Sequence, residues 1–124
     1  MAAMMSLRSS DGTLFVVHQW EVMESETLKF LIDNDFTADE ISIPMVDGDT
    51  LKMVINFCRR QRQEAYTHYV DPFDLPEANR DFVRRVVQRS TLHLFKLLLA
   101  ADFLEIDELL RLTIPYVKTS CGAQ

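Results

Sequence analysis

One segment, residues 94–112 with the sequence LFKLLLAADFLEIDELLRL, restricts the possible folds more than any other part of the chain. At about 100° per residue, its apolar side chains fall on two separate sides of a helix. The first stripe consists of Leu94, Leu97, Ala101 and Leu104. The second stripe consists of Phe95, Leu99 and Phe103. A helix with two apolar stripes lies between two layers, so the second layer must be further helix or another protein.

The same segment continues into another predicted helix, ELLRLTIPYVK, which Asp107 is expected to cap. Its apolar side chains cover a wide arc: Leu109, Leu110, Leu112, Ile114, Tyr116 and Val117. Pro115 lies inside this helix, where proline can cost about 3 kcal/mol or kink the axis. We expect apolar surface on this helix that the chain itself does not fully cover.

The first half of the chain predicts a small sheet with helices. MSLRS and TLFVV flank an Asp-Gly turn, which predicts a β-hairpin with positive φ at both turn residues. Ser25 is predicted to cap a helix over 25–34, and ISIP predicts a short strand that ends at Pro44.

The middle of the chain predicts two more helices. In the first, which follows Asp47, the buried stripe is Leu51, Val54, Ile55 and Cys58. Residues 64–77 hold two prolines and predict an internal loop. In the second helix, over 78–89, the inward residues are Phe82, Val83, Val86 and Val87. Ser90 or Thr91 is then expected to cap the helix with two stripes.

The amino-acid composition excludes several classes of protein. A chain of 124 residues with 48% hydrophobic content fits one domain with a modest core. Its net charge of −6 argues against nucleic-acid binding, and no apolar run is long enough to span a membrane. Two cysteines are too few for a disulfide framework, and the N-terminus lacks the apolar region of a signal peptide. A reducing compartment, the nucleus or cytoplasm, is therefore expected.

The sequence carries no recognisable catalytic or metal-binding motif. His18, His68 and His93 have no metal-ligand spacing, and there is neither a nucleophile elbow nor a phosphate-binding loop. We therefore expect no enzyme activity, no metal and no cofactor. One local feature opposes the acidic net charge, since seven arginines lie within residues 59–89. They form either a solvated helix face or a docking patch for an acidic partner.

Four stretches, SSDGTLF, IPMV, LKMVINFC and LFKLLLAADFLEIDELLRLT, resemble the Skp-one (S-phase kinase-associated protein one) family over about residues 6–118. The resemblance implies an α+β fold of the BTB-POZ type. In this fold, a small mixed three-stranded sheet, made of the N-terminal β-hairpin plus one strand, has helices packed around it. One domain is expected over 5–120, with flexible termini at 1–4 and 121–124.

The resemblance also implies a function. Members of this family are non-catalytic adaptors of Skp–cullin–F-box ubiquitin ligases, and they bridge a cullin to an F-box substrate receptor for ubiquitin-dependent protein degradation. The cullin-facing positions of this sequence would be Ile43, Pro44, Val46, Asp102 and Phe103. The F-box-facing positions would be Leu109, Leu110, Leu112 and Val117.

The chain also departs from the family pattern. Asp102-Phe103 stands where the family usually has Asn-Tyr, and Ala78-Asn79 stands where it has Trp-Asp. The sequence stops before the family's F-box-clasping helices, so weaker F-box binding is expected. Two alternatives stay open: an elongin-C-like adaptor or truncated paralogue with one partner, and a self-associating POZ scaffold. The residues expected in or near the core are Leu51, Val54, Ile55, Phe82, Phe95, Leu99 and Phe103, with a cost of roughly 2–5 kcal/mol for Leu99→Ala.

Overall fold

A computed structural model of the chain describes residues 3–66 and 74–121. Three strands and five α-helices follow one another as β1 (Met4–Arg8), β2 (Leu14–His18), α1 (Glu26–Asp33), β3 (Ile41–Ser42), α2 (Gly48–Tyr66), α3 (Asp74–Arg89), α4 (Thr91–Leu104) and α5 (Asp107–Cys121). A 3₁₀ turn, Gln19–Val22, follows β2. This order confirms the predicted α+β class, and no described helix is both long and apolar enough to cross a membrane.

The strands form one mixed sheet in the order β2-β1-β3. Strand β1 pairs antiparallel with β2 and parallel with β3, so Leu7 lies between Phe15 and Ile41. The predicted hairpin is confirmed, but its turn differs from the predicted one. Within the hairpin loop only Gly12 has a positive φ, +89°, and its N–H donates to the Ser9 carbonyl. The strands are thus joined by residues 9–13, a longer loop that needs one left-handed residue rather than two.

Side-chain caps start three of the helices. Ser25 Oγ accepts from the Leu28 N–H and donates to the Leu104 carbonyl, so this buried serine caps α1 and ties it to α4. Asp47 Oδ1 accepts from the Thr50 N–H at 2.8 Å at the start of α2. Ser90, one of the two predicted candidates, caps α4, and Thr91 is the first residue of the helix. Helix α5 instead begins at Asp107, which occupies its first turn rather than the predicted cap position.

The predicted loop over 64–77 is too long at both ends. Helix α2 continues to Tyr66 and α3 already begins at Asp74. Pro76 lies in the first turn of α3, where a backbone N–H has no partner within the helix, so proline is tolerated there. Residues 67–73, which include His68, lie outside the described residues. Strand β1 and helix α5 also extend one residue beyond the predicted domain limits of 5 and 120.

The core lies between the inner face of the sheet and one side of each helix. The first stripe of α4 is confirmed as buried, as are Leu51, Val54, Ile55 and Cys58 on α2. The second stripe is largely outside the core: Leu99 is 57% exposed, Phe103 is 41% exposed and Phe95 is half-buried. Phe82 on α3 is half-buried and packs against the core, as expected. The expectation of a core role is therefore wrong for Leu99 and Phe103. Helix α4 packs against α1, α2, α3 and α5, and this stripe faces none of them closely enough to be covered.

Candidate partner-binding surfaces

Helix α4 presents an apolar stripe to solvent on the side opposite the core. Leu92, Leu99 and Phe103 are all exposed, and their spacing of seven and then four residues places them along one face. Half-buried Phe95 lies between Leu92 and Leu99 on the same face. Large apolar side chains exposed in a row, rather than singly, are typical of an interaction surface.

The C-terminal end of this stripe is held against α1. Glu105 adopts a left-handed conformation with φ +53°, which ends α4. The carbonyl of Glu105 accepts from the Glu26 N–H at 3.1 Å, and Thr27 Oγ1 donates to the Phe103 carbonyl at 3.2 Å. These bonds fix the backbone at Phe103, while Asp102 stays exposed beside it. A cavity of about 490 Å³ opens next to this junction, lined by residues of α1 and by Glu105.

The corner after β3 differs from the predicted cullin-facing set. Ile43 and Val46 are each only 2% exposed and belong to the core, so they offer no surface. Pro44 is exposed as predicted, and Met45, which was not predicted, is 82% exposed with φ +70°. A left-handed conformation is uncommon for a residue such as methionine. It turns the chain so that the Met45 side chain projects outward although Val46, the next residue, is buried.

An ion pair joins this corner to the stripe of α4. Lys96 Nζ lies 2.9 Å from Asp47 Oδ2, and Asp47 follows the corner directly. Lys96 precedes Leu99 by three residues, so it belongs to the same side of α4. The Asp47 carboxylate accepts hydrogen bonds from the Thr50 N–H and from Lys96, which lowers its pKa to about 2. We call the set Pro44, Met45, Leu99, Asp102 and Phe103 the α4 surface.

Helix α5 carries the predicted F-box-facing residues. Leu109 is fully buried and belongs to the core, so this part of the prediction does not correspond to exposed surface. Leu110, Leu112 and Val117 are half-buried and stay candidates, and Ile114 is 40% exposed. A cavity of about 480 Å³ runs along this helix; we call it the α5 groove, lined by Arg80, Arg111, Leu112, Pro115 and Tyr116. Arg80 comes from α3, and no pattern in the sequence identifies this helix as a neighbour of α5.

The described residues offer little for catalysis. Among them, no three histidine, cysteine, aspartate or glutamate side chains come together in a way that could hold a metal ion. Burial raises the pKa of the Cys58 thiol to about 12, so this cysteine stays protonated and is a poor nucleophile at neutral pH.

Comparison with known proteins gives the same family as the sequence motifs. The family described as "Skp1 family, tetramerisation domain" matches residues 3–63. SKP1-like protein 13 of Arabidopsis thaliana is 32% identical over 112 residues, which cover 90% of this chain and 71% of the relative. SKP1-like protein 3 of Arabidopsis thaliana is 35% identical over 118 residues, which cover 89% of this chain and 70% of the relative. SKP1-like protein 1 of Oryza sativa subsp. japonica is 34% identical, with the same shares covered.

Proposed function

Since the chain belongs to the Skp1 family, we propose that it is a non-catalytic adaptor of a Skp–cullin–F-box ubiquitin ligase that bridges a cullin to an F-box receptor. The family consists of adaptors rather than enzymes. The observation that carries the finer proposal is the exposed stripe of α4. Leu99 and Phe103 remain in solvent although the opposite side of the same helix is fully buried.

The α4 surface has the composition of a protein interface. Leu99, Phe103 and Met45 provide an apolar centre, and Asp102 with the Lys96–Asp47 pair provides a charged rim. A cullin that covers these side chains would remove large apolar groups from water. This supports Pro44, Met45, Leu99, Asp102 and Phe103 as the cullin-facing set, in place of the buried Ile43 and Val46.

The α5 groove supports a second contact. Leu110, Leu112 and Val117 remain partly exposed on α5, and Leu112 lines the groove of about 480 Å³, whose size suits one face of a receptor helix. The groove and the α4 surface share no residue, so one chain could contact two proteins at once. This separation is what a bridging adaptor requires. The free, buried thiol of Cys58 supports a reducing compartment, and we propose the nucleus and cytoplasm as its location.

The experiment is to measure binding of the purified chain to a cullin N-terminal domain and to an F-box protein, separately and together. We expect Phe103→Ala to weaken cullin binding at least about tenfold, because large apolar residues dominate interface energies. Phe36→Ala is the matched control, since Phe36 is 61% exposed but lies in the loop after α1. Asp102→Asn should also change cullin affinity, whereas Asp39→Asn should not.

Three results would contradict the proposed function, the proposed cullin-facing surface or the bridging role, in that order. Absence of cullin binding by the unmodified chain would refute the adaptor function. Equal cullin affinities of the Phe103→Ala and Phe36→Ala variants would refute the α4 surface while leaving the function intact. A stable dimer that forms without either partner and hides Leu99 would instead favour a self-associating POZ scaffold.

A further inference from the structure

A third surface, used by neither proposed partner, lies between α2 and α3. It is an open groove of about 320 Å³, which we call the arginine groove, lined by Met53, Asn56, Arg60, Phe82, Arg85, Val86 and Arg89. Three of these seven residues are arginines and none is acidic. The groove is therefore a local cationic site on a chain whose net charge is −6.

The first arginine is held in place by aromatic rings. The guanidinium carbon of Arg60 lies 5.2 Å from the ring centroid of Phe82 and 5.7 Å from that of Phe57. Its Nη2 donates to Asn79 Oδ1 at 3.0 Å, and Asn79 is itself buried. Because the rings and the amide fix this side chain, little conformational entropy would be lost when a ligand binds beside it.

The other two arginines are more accessible. Arg89 Nη2 lies 2.9 Å from Asp49 Oδ2, but both side chains are about half exposed, and such surface pairs are weak. Arg85 is exposed, and among the described side chains no carboxylate forms an ion pair with it. Its neighbour Arg84, in contrast, lies 3.2 Å from Asp81 and is not part of the groove lining. Arg85 is thus a cation at the groove that is available to an external anion.

We propose that the arginine groove binds an acidic segment of a partner protein, with carboxylates placed on Arg85 and Arg89. An apolar side chain of the segment would lie on the floor formed by Met53, Phe82 and Val86. Charge complementarity selects this occupant, because carboxylates match guanidinium groups and the apolar floor suits a protein side chain. A nucleic acid is disfavoured because the rest of this acidic chain would repel its phosphates. The site shares no residue with the α4 surface or the α5 groove, so it does not depend on the adaptor function.

The test uses fluorescence anisotropy with a labelled heptapeptide, Glu-Asp-Glu-Phe-Glu-Asp-Glu, and a neutral version in which Gln and Asn replace the acids. We expect the acidic peptide to bind and the neutral one not to bind. Arg85→Gln should weaken binding at least about tenfold, as expected for the loss of a charge-assisted contact. Arg84→Gln removes the same charge one residue away, outside the groove, and should change affinity less than about twofold. Added sodium chloride should weaken the interaction.

The remaining outcomes decide against the proposal. Equal losses of peptide affinity in the Arg84→Gln and Arg85→Gln variants would show a diffuse charge effect and refute the arginine groove as the binding site. Absence of acidic-peptide binding at millimolar concentration would overturn it as well. Tighter binding of a single-stranded oligonucleotide, lost in the Arg85→Gln variant, would replace the protein partner with a nucleic acid. Circular dichroism of each variant checks that the fold is retained, which is expected because Arg84 and Arg85 are both exposed.

Discussion

The same leucine-to-alanine substitution at two positions of helix α4 separates effects on the stability of the fold from effects on partner binding. Leu97 is fully buried in the core, whereas Leu99 is 57% exposed on the opposite side of the same helix. Leu97→Ala and Leu99→Ala remove the same atoms and place the same good helix former at neighbouring positions. Differences between the two variants therefore report burial rather than helix propensity.

The expected loss of stability in each variant follows from the exposed fraction of the leucine that is replaced. Leu97→Ala removes three buried carbon groups, which costs about 2–3 kcal/mol in transfer free energy. The cost rises towards about 5 kcal/mol if the surrounding helices do not close the space left behind. In Leu99 less than half of the side chain is removed from water, so Leu99→Ala should cost no more than about 1 kcal/mol. This corrects the sequence-based expectation of roughly 2–5 kcal/mol for Leu99→Ala.

The assay is urea and thermal unfolding followed by far-UV circular dichroism. For a domain of this size each kcal/mol shifts Tm by about 3–6 °C, so the Leu97→Ala variant should unfold well below the Leu99→Ala variant. If the α4 surface contacts a cullin, the Leu99→Ala variant should keep its stability but bind the cullin more weakly. Similar losses of stability in both variants would show that the second stripe is buried. This result would refute the assignment of α4 as a helix with one face in the core and the opposite face in solvent.

Two further predictions concern Asp47 and Cys58. Because its folded-state pKa is lowered to about 2 from an ordinary value of 3.8, Asp47 should contribute stability above pH 4 that is lost as the pH falls through about 2. Asp47→Ala should lower the free energy of unfolding by about 1 kcal/mol at neutral pH, because the α2 cap is lost. The variant should also lose less stability than the unmodified chain as the pH falls from about 4 to about 2. An identical pH dependence in both proteins would contradict this account. In a Cys121→Ser background, Cys58 should resist a thiol reagent at neutral pH until the protein is unfolded, because burial raises its pKa to about 12. Rapid labelling of the folded protein would show that this thiol is accessible.

Local patterns were sufficient for much of the fold. The caps at Ser25 and Ser90, the Asp-Gly hairpin and the buried stripe of α2 were all predicted, because each depends on residues within a few positions of one another. The family motifs gave the mixed sheet and the order of the helices. The ends of the helices that flank residues 67–73 were predicted less well, because a proline such as Pro76 favours a loop in the sequence although the first turn of a helix tolerates it.

The candidate surfaces depended on tertiary structure. Periodicity identifies two apolar faces on α4, but it does not say which face finds neighbours, so Leu99 and Phe103 were assigned to the core. Ile43, Val46 and Leu109 were expected at partner surfaces from the family resemblance, and packing places all three in the interior.

The arginine groove shows most clearly that local patterns do not predict contacts between distant residues. Arg60 on α2 is far in sequence from Arg85 and Arg89 on α3, and the three line one groove only because side chains of the two helices meet, as Phe57 and Phe82 do with 5.5 Å between their ring centroids. The order of residues along the chain is enough to show which side chains are apolar, charged or helix-capping. Which of them meet and which remain in water follows from the fold, because burial depends on contacts between residues that no local pattern relates.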